Sequence, residues 1–255
     1  MINPDFKINQ RGKSTYSSTG AGGTVDRWVG TNVKAVVNSD NTVSLSSLNG
    51  TGYYTQHEES ISYGKHTYSI YVQAITGTVK AFYKSKDSKD IELGTLKQGL
   101  NTFTSSDDGF KSFFVSIAGG SEVALKYVKV EQGTVATSFI APNRAEEFMK
   151  CERYFMYIPS SVVGYKFTSQ IFVQIEKINN MRENATIGIT GSNNDTNVIS
   201  TNSVKQNASV NVGACKANVG SGSVGIYIDG TRTIQNTLVG IDFNSTKIFL
   251  DAEIY

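Results

Sequence analysis

The groups in this 255-residue chain that could cut bonds or hold metals are few: His57, His66, Cys151, Cys215 and 22 acidic residues. Neither histidine sits in an H-E-x-x-H or comparable ligand pattern. Two cysteines cannot supply a Cys-based zinc site or a disulfide framework; one bridge or two buried thiols both stay open. Glycoside hydrolysis needs two carboxyls about 5–9.5 Å apart across the scissile bond. Glu58-Glu59 and Asp107-Asp108 are adjacent, and neighbours on a strand face opposite sides. Asp107-Asp108, followed by Gly109, reads as a solvated turn. No G-x-S-x-G elbow marks a nucleophile. These patterns predict a protein that is not an enzyme, has no catalytic residues and needs neither metal nor cofactor.

Binding chemistry is better represented. A sugar is held by aromatic faces against its C–H groups and by amides, hydroxyls and carboxylates at its hydroxyls. Tyr53 and Tyr54 follow Asn49-Gly-Thr-Gly at a loop-to-strand transition and are expected to form such a platform, unless alternation turns one of them into the core. Trp28, behind Asp26-Arg27 in a strand-like run, is expected in the core. In the distal half, Asn193, Asn194, Asp195, Asp229 and Arg232 concentrate hydrogen-bonding side chains in loops, with Tyr165 or Tyr227 as a stacking ring. Loops on a rigid β scaffold are where recognition residues tend to lie; plain solvated loops are the alternative.

Composition narrows the class. Asn, Ser and Thr number 20, 28 and 24, whereas charged residues make up 18% and the formal net charge is +2. Thirteen Tyr, thirteen Phe and one Trp argue against disorder, which needs few aromatics and high net charge. The small, evenly spread charge excludes a phosphate-binding surface, so no nucleic-acid partner is expected. No apolar run approaches the roughly 20 residues of a membrane span, so no membrane insertion is expected. The opening Met-Ile-Asn-Pro-Asp-Phe-Lys lacks the apolar stretch of a secretory signal.

Short runs of period-two alternation, bounded by Gly, Asn, Asp and Ser, dominate the chain. Strands are predicted at 67–75, 78–83, 112–118, 122–130, 171–176, 185–190, 223–228 and 246–254. One helix is predicted over 143–157, N-capped by Asn143 with Glu146 and Glu147 in its first turn. Phe148, Cys151, Phe155 and Ile158 give it an apolar stripe, either a linker face packed on a sheet or a short seam between copies. The expected fold class is all-β: two antiparallel, jelly-roll-like β-sandwich domains at 1–140 and 159–255, joined by a linker helix over 141–158.

The segment from Val128-Lys-Val-Glu-Gln-Gly through Ala136-Thr-Ser-Phe139 to Glu146-Glu-Phe-Met-Lys-Cys-Glu-Arg-Tyr-Phe155 is distinctive. It resembles the junction of bacteriophage tail-fibre and tail-spike proteins, where a jelly roll ends in "KLE.G..AT.F" and a helix carries "EE...C.RYF". Asn3-Pro-Asp-Phe-Lys-Ile-Asn-Gln-Arg-Gly12 and Val25-Asp-Arg-Trp28 are similar to the start of that module, whose fold is like a carbohydrate-binding jelly roll. Asn180-Met-Arg-Glu-Asn-Ala-Thr-Ile187 resembles the distal "MR..PTV" strand, with Glu183-Asn184-Ala185 in place of the proline-containing stretch.

The resemblance implies a homotrimeric receptor-binding protein of a phage or phage-tail-like particle. It would be made in the bacterial cytoplasm and, after lysis, sit on the virion tail. Its partners would be host cell-surface polysaccharide and other tail or baseplate proteins, with the 159–255 domain distal. Such fibres often carry an N-terminal anchor, here expected to be very short, supplied by another protein or missing from this chain. A structural Ca²⁺ near Asp5 and Glu131 is a further implication. A glycan depolymerase and a purely structural tail or baseplate component are the alternatives.

Overall fold

A computed structural model describes residues 1–106, 109–158, 161–166, 170–176, 186–190, 196–200, 205–207, 210–220, 223–230, 237–243 and 247–252; side chains are described through 158, and at 247 and 249–252. The chain divides into two compact units, Met1–Cys151 and Glu152–Glu253.

The first unit is a sandwich of two six-stranded antiparallel sheets. One contains β1 (Thr15–Ser18), β4 (Val33–Val37), β5 (Val43–Ser47), β7 (His66–Thr76), β10 (Gly99–Thr104) and β12 (Glu122–Gln132), in the order β1-β4-β5-β12-β7-β10. The other contains β2 (Gly22–Gly23), β3 (Val29–Thr31), β6 (Gly52–Ser62), β8 (Val79–Lys84), β9 (Asp90–Thr95) and β11 (Phe110–Ile117), in the order β2-β3-β6-β11-β8-β9. The inward faces follow from alternation: Tyr68, Ile70 and Val72 of β7 face Val79, Ala81 and Tyr83 of β8 and Phe113, Val115 and Ile117 of β11, all buried.

Trp28 is the hub of this core. It is fully buried and stacks on Tyr54 at 5.0 Å with 7° between the planes. Phe6 packs on it at 5.1 Å and Phe113 meets it edge-on at 6.4 Å. Its indole Nε1–H donates to the Asn3 carbonyl at 3.1 Å. Asn3 ties the first loop to the rest: its side chain donates to the Ile8 and Asp26 carbonyls, and its backbone N–H donates to the buried Glu147 carboxylate at 2.6 Å. The expectation that Trp28 belongs to the core holds.

Glu147 lies on the one described helix, α1 (Arg144–Glu152), which Asn143 caps by accepting from the Ala145 N–H at 2.9 Å. The helix is shorter than 143–157. Beyond Glu152 the run Tyr154-Phe-Met-Tyr-Ile158 holds three aromatic residues and a β-branched one, which suits a pleated surface better than a helix. Phe155–Tyr157 accordingly form β13. Phe148, Cys151, Phe155 and Ile158 therefore do not share a helical face, and the predicted seam is corrected. Cys151, Phe155 and Ile158 are buried, and only Phe148 of the four is exposed. The boundary between units falls at 151/152, within the segment expected to be a linker.

In the second unit, β13 pairs with β22 (Lys247–Asp251), which also pairs with β16 (Thr186–Thr190). Phe155 packs on Phe249 at 5.2 Å. A seven-stranded antiparallel sheet contains β14 (Ser161–Lys166), β15 (Gln170–Glu176), β17 (Thr196–Ser200), β18 (Lys205–Asn207), β19 (Val210–Gly220), β20 (Ser223–Gly230) and β21 (Thr237–Phe243). The all-β, sandwich-like class is what the periodicity predicts.

If burial of Trp28 organises the first unit, Trp28→Ala should lower unfolding free energy by about 3–5 kcal/mol. Tyr53→Ala, one residue from the buried Tyr54 but on the solvent side, should stay within about 0.5 kcal/mol of the parent. Urea unfolding followed by circular dichroism measures both.

Candidate functional site

The burial that fixes the core also dictates what the β2-β3-β6-β11-β8-β9 sheet presents outward. With Tyr54 and Gln56 of β6 buried, Tyr53, Thr55 and His57 lie on the other face. Phe114 and Ser116 of β11, and Lys80, Phe82 and Lys84 of β8, share that face by the same alternation. Strand register aligns these residues in rows. Thr31, Tyr53, Ser116 and Lys80 are successive cross-strand partners, as are Thr55, Phe114, Phe82 and Glu92. A third row runs His57, Ser112, Lys84, Asp90.

The aromatic residues form one connected group. Phe82 and Phe114 stack at 5.1 Å with 4° between planes, and Tyr53 meets Phe114 at 6.1 Å and 69°. Tyr53 is 41% exposed, and its ring is an open face beside the Phe114–Phe82 stack. A cleft of about 270 Å³ runs past it, lined by Thr31, Tyr53, Thr55, His57, Lys84, Asp90, Ser112 and Phe114. That volume is just below the roughly 300–1,000 Å³ of pockets that enclose drug-sized ligands.

Local structure holds Tyr53 in place. Asn32, in a left-handed conformation (φ 52°) that Asn tolerates, donates from its side chain to the carbonyls of Asn49 and Thr51. Its Oδ1 accepts from the Asn49 N–H. Gly52 then starts β6 so close to this loop that a Cβ there would lie 2.7 Å from the Asn32 carbonyl oxygen. At the other end of the cleft, pairing skips from His57↔Ser112 to Ser62↔Phe110, so four residues of β6 oppose one of β11. Such bulges re-aim side chains next to binding sites.

The polar wall has distinct chemistry. Ser112 is fully buried, and its Oγ has no hydrogen-bond partner among the described residues. Leaving a buried hydroxyl unpaired costs about 1–3 kcal/mol. Lys84 pairs with Asp90 at 3.0 Å and Lys80 with Glu92 at 2.9 Å. Burial, followed by the nearby charges of Arg27, Lys84 and Lys111, pushes the His57 imidazole below its ordinary pKa. His57 is thus a neutral donor and acceptor at neutral pH.

The other predicted site residues have different fates. Tyr54 is fully buried, its hydroxyl accepting from Thr24 Oγ1 at 3.1 Å, so it cannot form a platform with Tyr53. Two adjacent strand residues face opposite ways, and Trp28 holds Tyr54 inside. Asn193, Asn194, Asp195 and Arg232 lie outside the described residues, as do Asp107 and Asp108. For Tyr165, Tyr227 and Asp229 only the backbone is described. Tyr165 and Tyr227 are both register partners of Phe172 on β15, and Asp229 of β20 pairs with Gln170 of β15.

Asp5 is ion-paired with Lys7 at 2.6 Å, while Glu131 is paired with Lys129 at 2.9 Å and accepts from Thr137. Among the described residues, no three His, Cys, Asp or Glu side chains gather as a metal site would require. A second aromatic depression, of about 420 Å³, lies on the opposite sheet at Tyr71, Tyr127 and Phe139. There the Tyr127 ring is covered by Phe139 at 4.0 Å and 6°, so it offers no equivalent open face.

Phe82, Phe114, Ser112, Lys84 and Asp90 are absent from the predicted site. Phe82 and Phe114 did carry a signal, being large apolar residues off the core phase of strands whose alternation is plain.

No protein-family model matches the chain, and no curated protein matches it. Among solved structures, a mutant of a family 29 carbohydrate-binding module is similar at TM-score 0.37 and 15% identity, covering 48% of this chain and 92% of that one. An exo-β-agarase is similar at TM-score 0.31 and 8% identity, covering 58% of this chain and 26% of that one. Both TM-scores lie below 0.5, so neither likeness assigns a function.

The depressed His57 pKa makes stability pH-dependent. Folded, neutral His57 binds fewer protons than the unfolded chain near pH 6, so its contribution is complete above about 6.5 and declines as pH falls toward the folded pKa. His57→Gln should flatten that part of the stability–pH curve. Proton-detected titration of the imidazole should give a midpoint below 6.5; a midpoint at or above 6.5 would refute the assignment.

Proposed function

We propose that the first unit binds a soluble polysaccharide chain, without catalysis, in the cleft at Tyr53. The carrying observation is the pairing of an exposed Tyr53 face with a wall of hydroxyls that includes the buried, unpartnered Ser112. A sugar ring laid on Tyr53 would place its C–H groups on the aromatic face and its hydroxyls near Ser112, Thr55 and His57. The 69° angle between Tyr53 and Phe114 favours a single chain entering a notch over a flat crystalline surface, which would require coplanar rings.

Two features favour binding over cleavage. The carboxylates on this face, Asp90 and Glu92, are exposed and each held by a lysine. A general acid for glycoside hydrolysis is instead kept protonated by an apolar, sheltered site. His66, the other histidine, is buried beside Phe110 and bonded to Ser62 at 2.9 Å, away from the cleft-lining residues.

The biological setting rests on the resemblance of Val128–Phe155 to the tail-fibre junction. We place the protein in a homotrimeric fibre of a phage or phage-like tail, attaching to bacterial surface polysaccharide. Three weak sites would then act through avidity, gaining as much as 10²–10⁴-fold where geometry allows joint engagement. The corrected helical stripe offers no seam for that assembly.

Affinity electrophoresis in gels containing bacterial surface polysaccharides should retard the parent protein. Tyr53→Ala should weaken retention by about tenfold or more, equivalent to about 1.4 kcal/mol, with the circular dichroism spectrum unchanged. Retention undiminished in Tyr53→Ala, or new reducing ends after incubation, would overturn the reading. Light scattering should give three times the 27.7 kDa of one chain; a monomer would remove the fibre setting.

A further inference from the structure

The third row of the sheet face suggests what the bound glycan carries. His57, Ser112, Lys84 and Asp90 are consecutive partners across β6, β11, β8 and β9. The first three can each present a hydrogen-bond donor to the cleft: an imidazole N–H, a hydroxyl and an ammonium. Lys84 has three N–H donors and pairs with the exposed Asp90 at 3.0 Å. Ser112, in the centre of the row, has a buried hydroxyl with no acceptor among the described residues. Positive charge gathers around this end of the cleft, with Lys84, Lys111 and the guanidinium of Arg27 all bearing on His57. Arg27 also donates from Nη2 to the His57 carbonyl, which fixes a cation beneath the row.

We infer that the His57–Ser112–Lys84 row recognises an acidic substituent, a carboxylate on a uronic acid or similar sugar, of the glycan held at Tyr53. This rests on the reading of the cleft as a glycan site. A carboxylate has two oxygens and about four acceptor positions, enough to take the Ser112 hydroxyl and one Lys84 N–H while the sugar ring stays on Tyr53. Asp90 acts as a built-in competitor. It holds Lys84 in position in the free protein and gives up part of its hold when the ligand carboxylate arrives. A neutral sugar leaves the Lys84–Asp90 pair intact and draws nothing from the positive potential.

The test uses the full chain and pairs of oligosaccharides, each uronate-containing one beside its carboxyl-reduced neutral counterpart, titrated calorimetrically at low salt. In every pair that binds, the acidic member should bind about tenfold tighter or more, the scale of one charge-assisted hydrogen bond. That advantage should shrink with added salt. Lys84→Met should remove most of it, leaving the two members of each pair within about twofold of one another, and Ser112→Ala should weaken binding of the acidic member more than of the neutral one. Asp90→Asn should enlarge the advantage, which no loss of folding can imitate. Equal affinity within pairs, or an advantage unchanged in Lys84→Met, overturns the acidic-group inference and leaves Tyr53-dependent glycan binding standing. No binding of any pair overturns both.

Discussion

The stack of Tyr54 on Trp28 is the constraint from which the functional face follows. Side chains on a strand alternate with a period of two, so fixing one residue inside fixes the phase of the whole strand. Tyr54 is held by the indole face at 5.0 Å and by Thr24 at its hydroxyl, and burial pushes its phenol well above the usual pKa. A one-residue slip of β6 would expose that ring and bury the exposed face of Tyr53 together with His57. Phe113 and Tyr83 impose the same phase on β11 and β8, both being fully buried. Three strands in phase turn an outward surface into an ordered array, with aromatic rings in adjoining rows and polar groups along one side.

That array separates two kinds of chemistry that a glycan site needs. The apolar rows provide area against which a sugar ring can shed water, and the polar row provides direction. Ser112 joins the two demands. A buried hydroxyl without a partner among the described residues destabilises the fold by itself, and a ligand oxygen in the cleft would supply the missing bond. The lysine–carboxylate pairs along the β8–β9 edge add little stability, because exposed pairs contribute at most about 1 kcal/mol. Their effect is to fix where positive charge stands when a ligand arrives.

Four of the twelve strands of the first unit, β7, β8, β11 and β12, were legible because their signals are local. Alternation at 67–75, 78–83, 112–118 and 122–130 is visible in any short window, and the observed strands match to within two residues at each end. The helix start was legible from Asn143 and its first-turn carboxylates; the helix end was not. The spacing of Phe148, Cys151, Phe155 and Ile158 fits a helix, but Tyr154–Ile158 fits a strand equally well, and pairing with β22 decides for the strand. The candidate site was half legible. Tyr53 stands out beside Gly52, whereas Phe114, Phe82, Ser112 and Lys84 come together only through cross-strand register between residues 28 to 59 apart in sequence. Nothing in a local window specifies that pairing. The choice between Tyr53 and Tyr54 likewise needed Trp28, which precedes β3, the strand that pairs with β6, and lies 26 residues before Tyr54 in sequence.

The most direct test of a glycan face at Tyr53 is chemical-shift mapping of the isotope-labelled protein titrated with an oligosaccharide it retains. The account predicts that perturbed amides and side chains cluster on Thr31, Tyr53, Thr55, His57, Ser112 and Phe114, while the opposite sheet around Tyr71 and Tyr127 stays unchanged. Perturbations confined to the second unit, or to the opposite sheet, would contradict it.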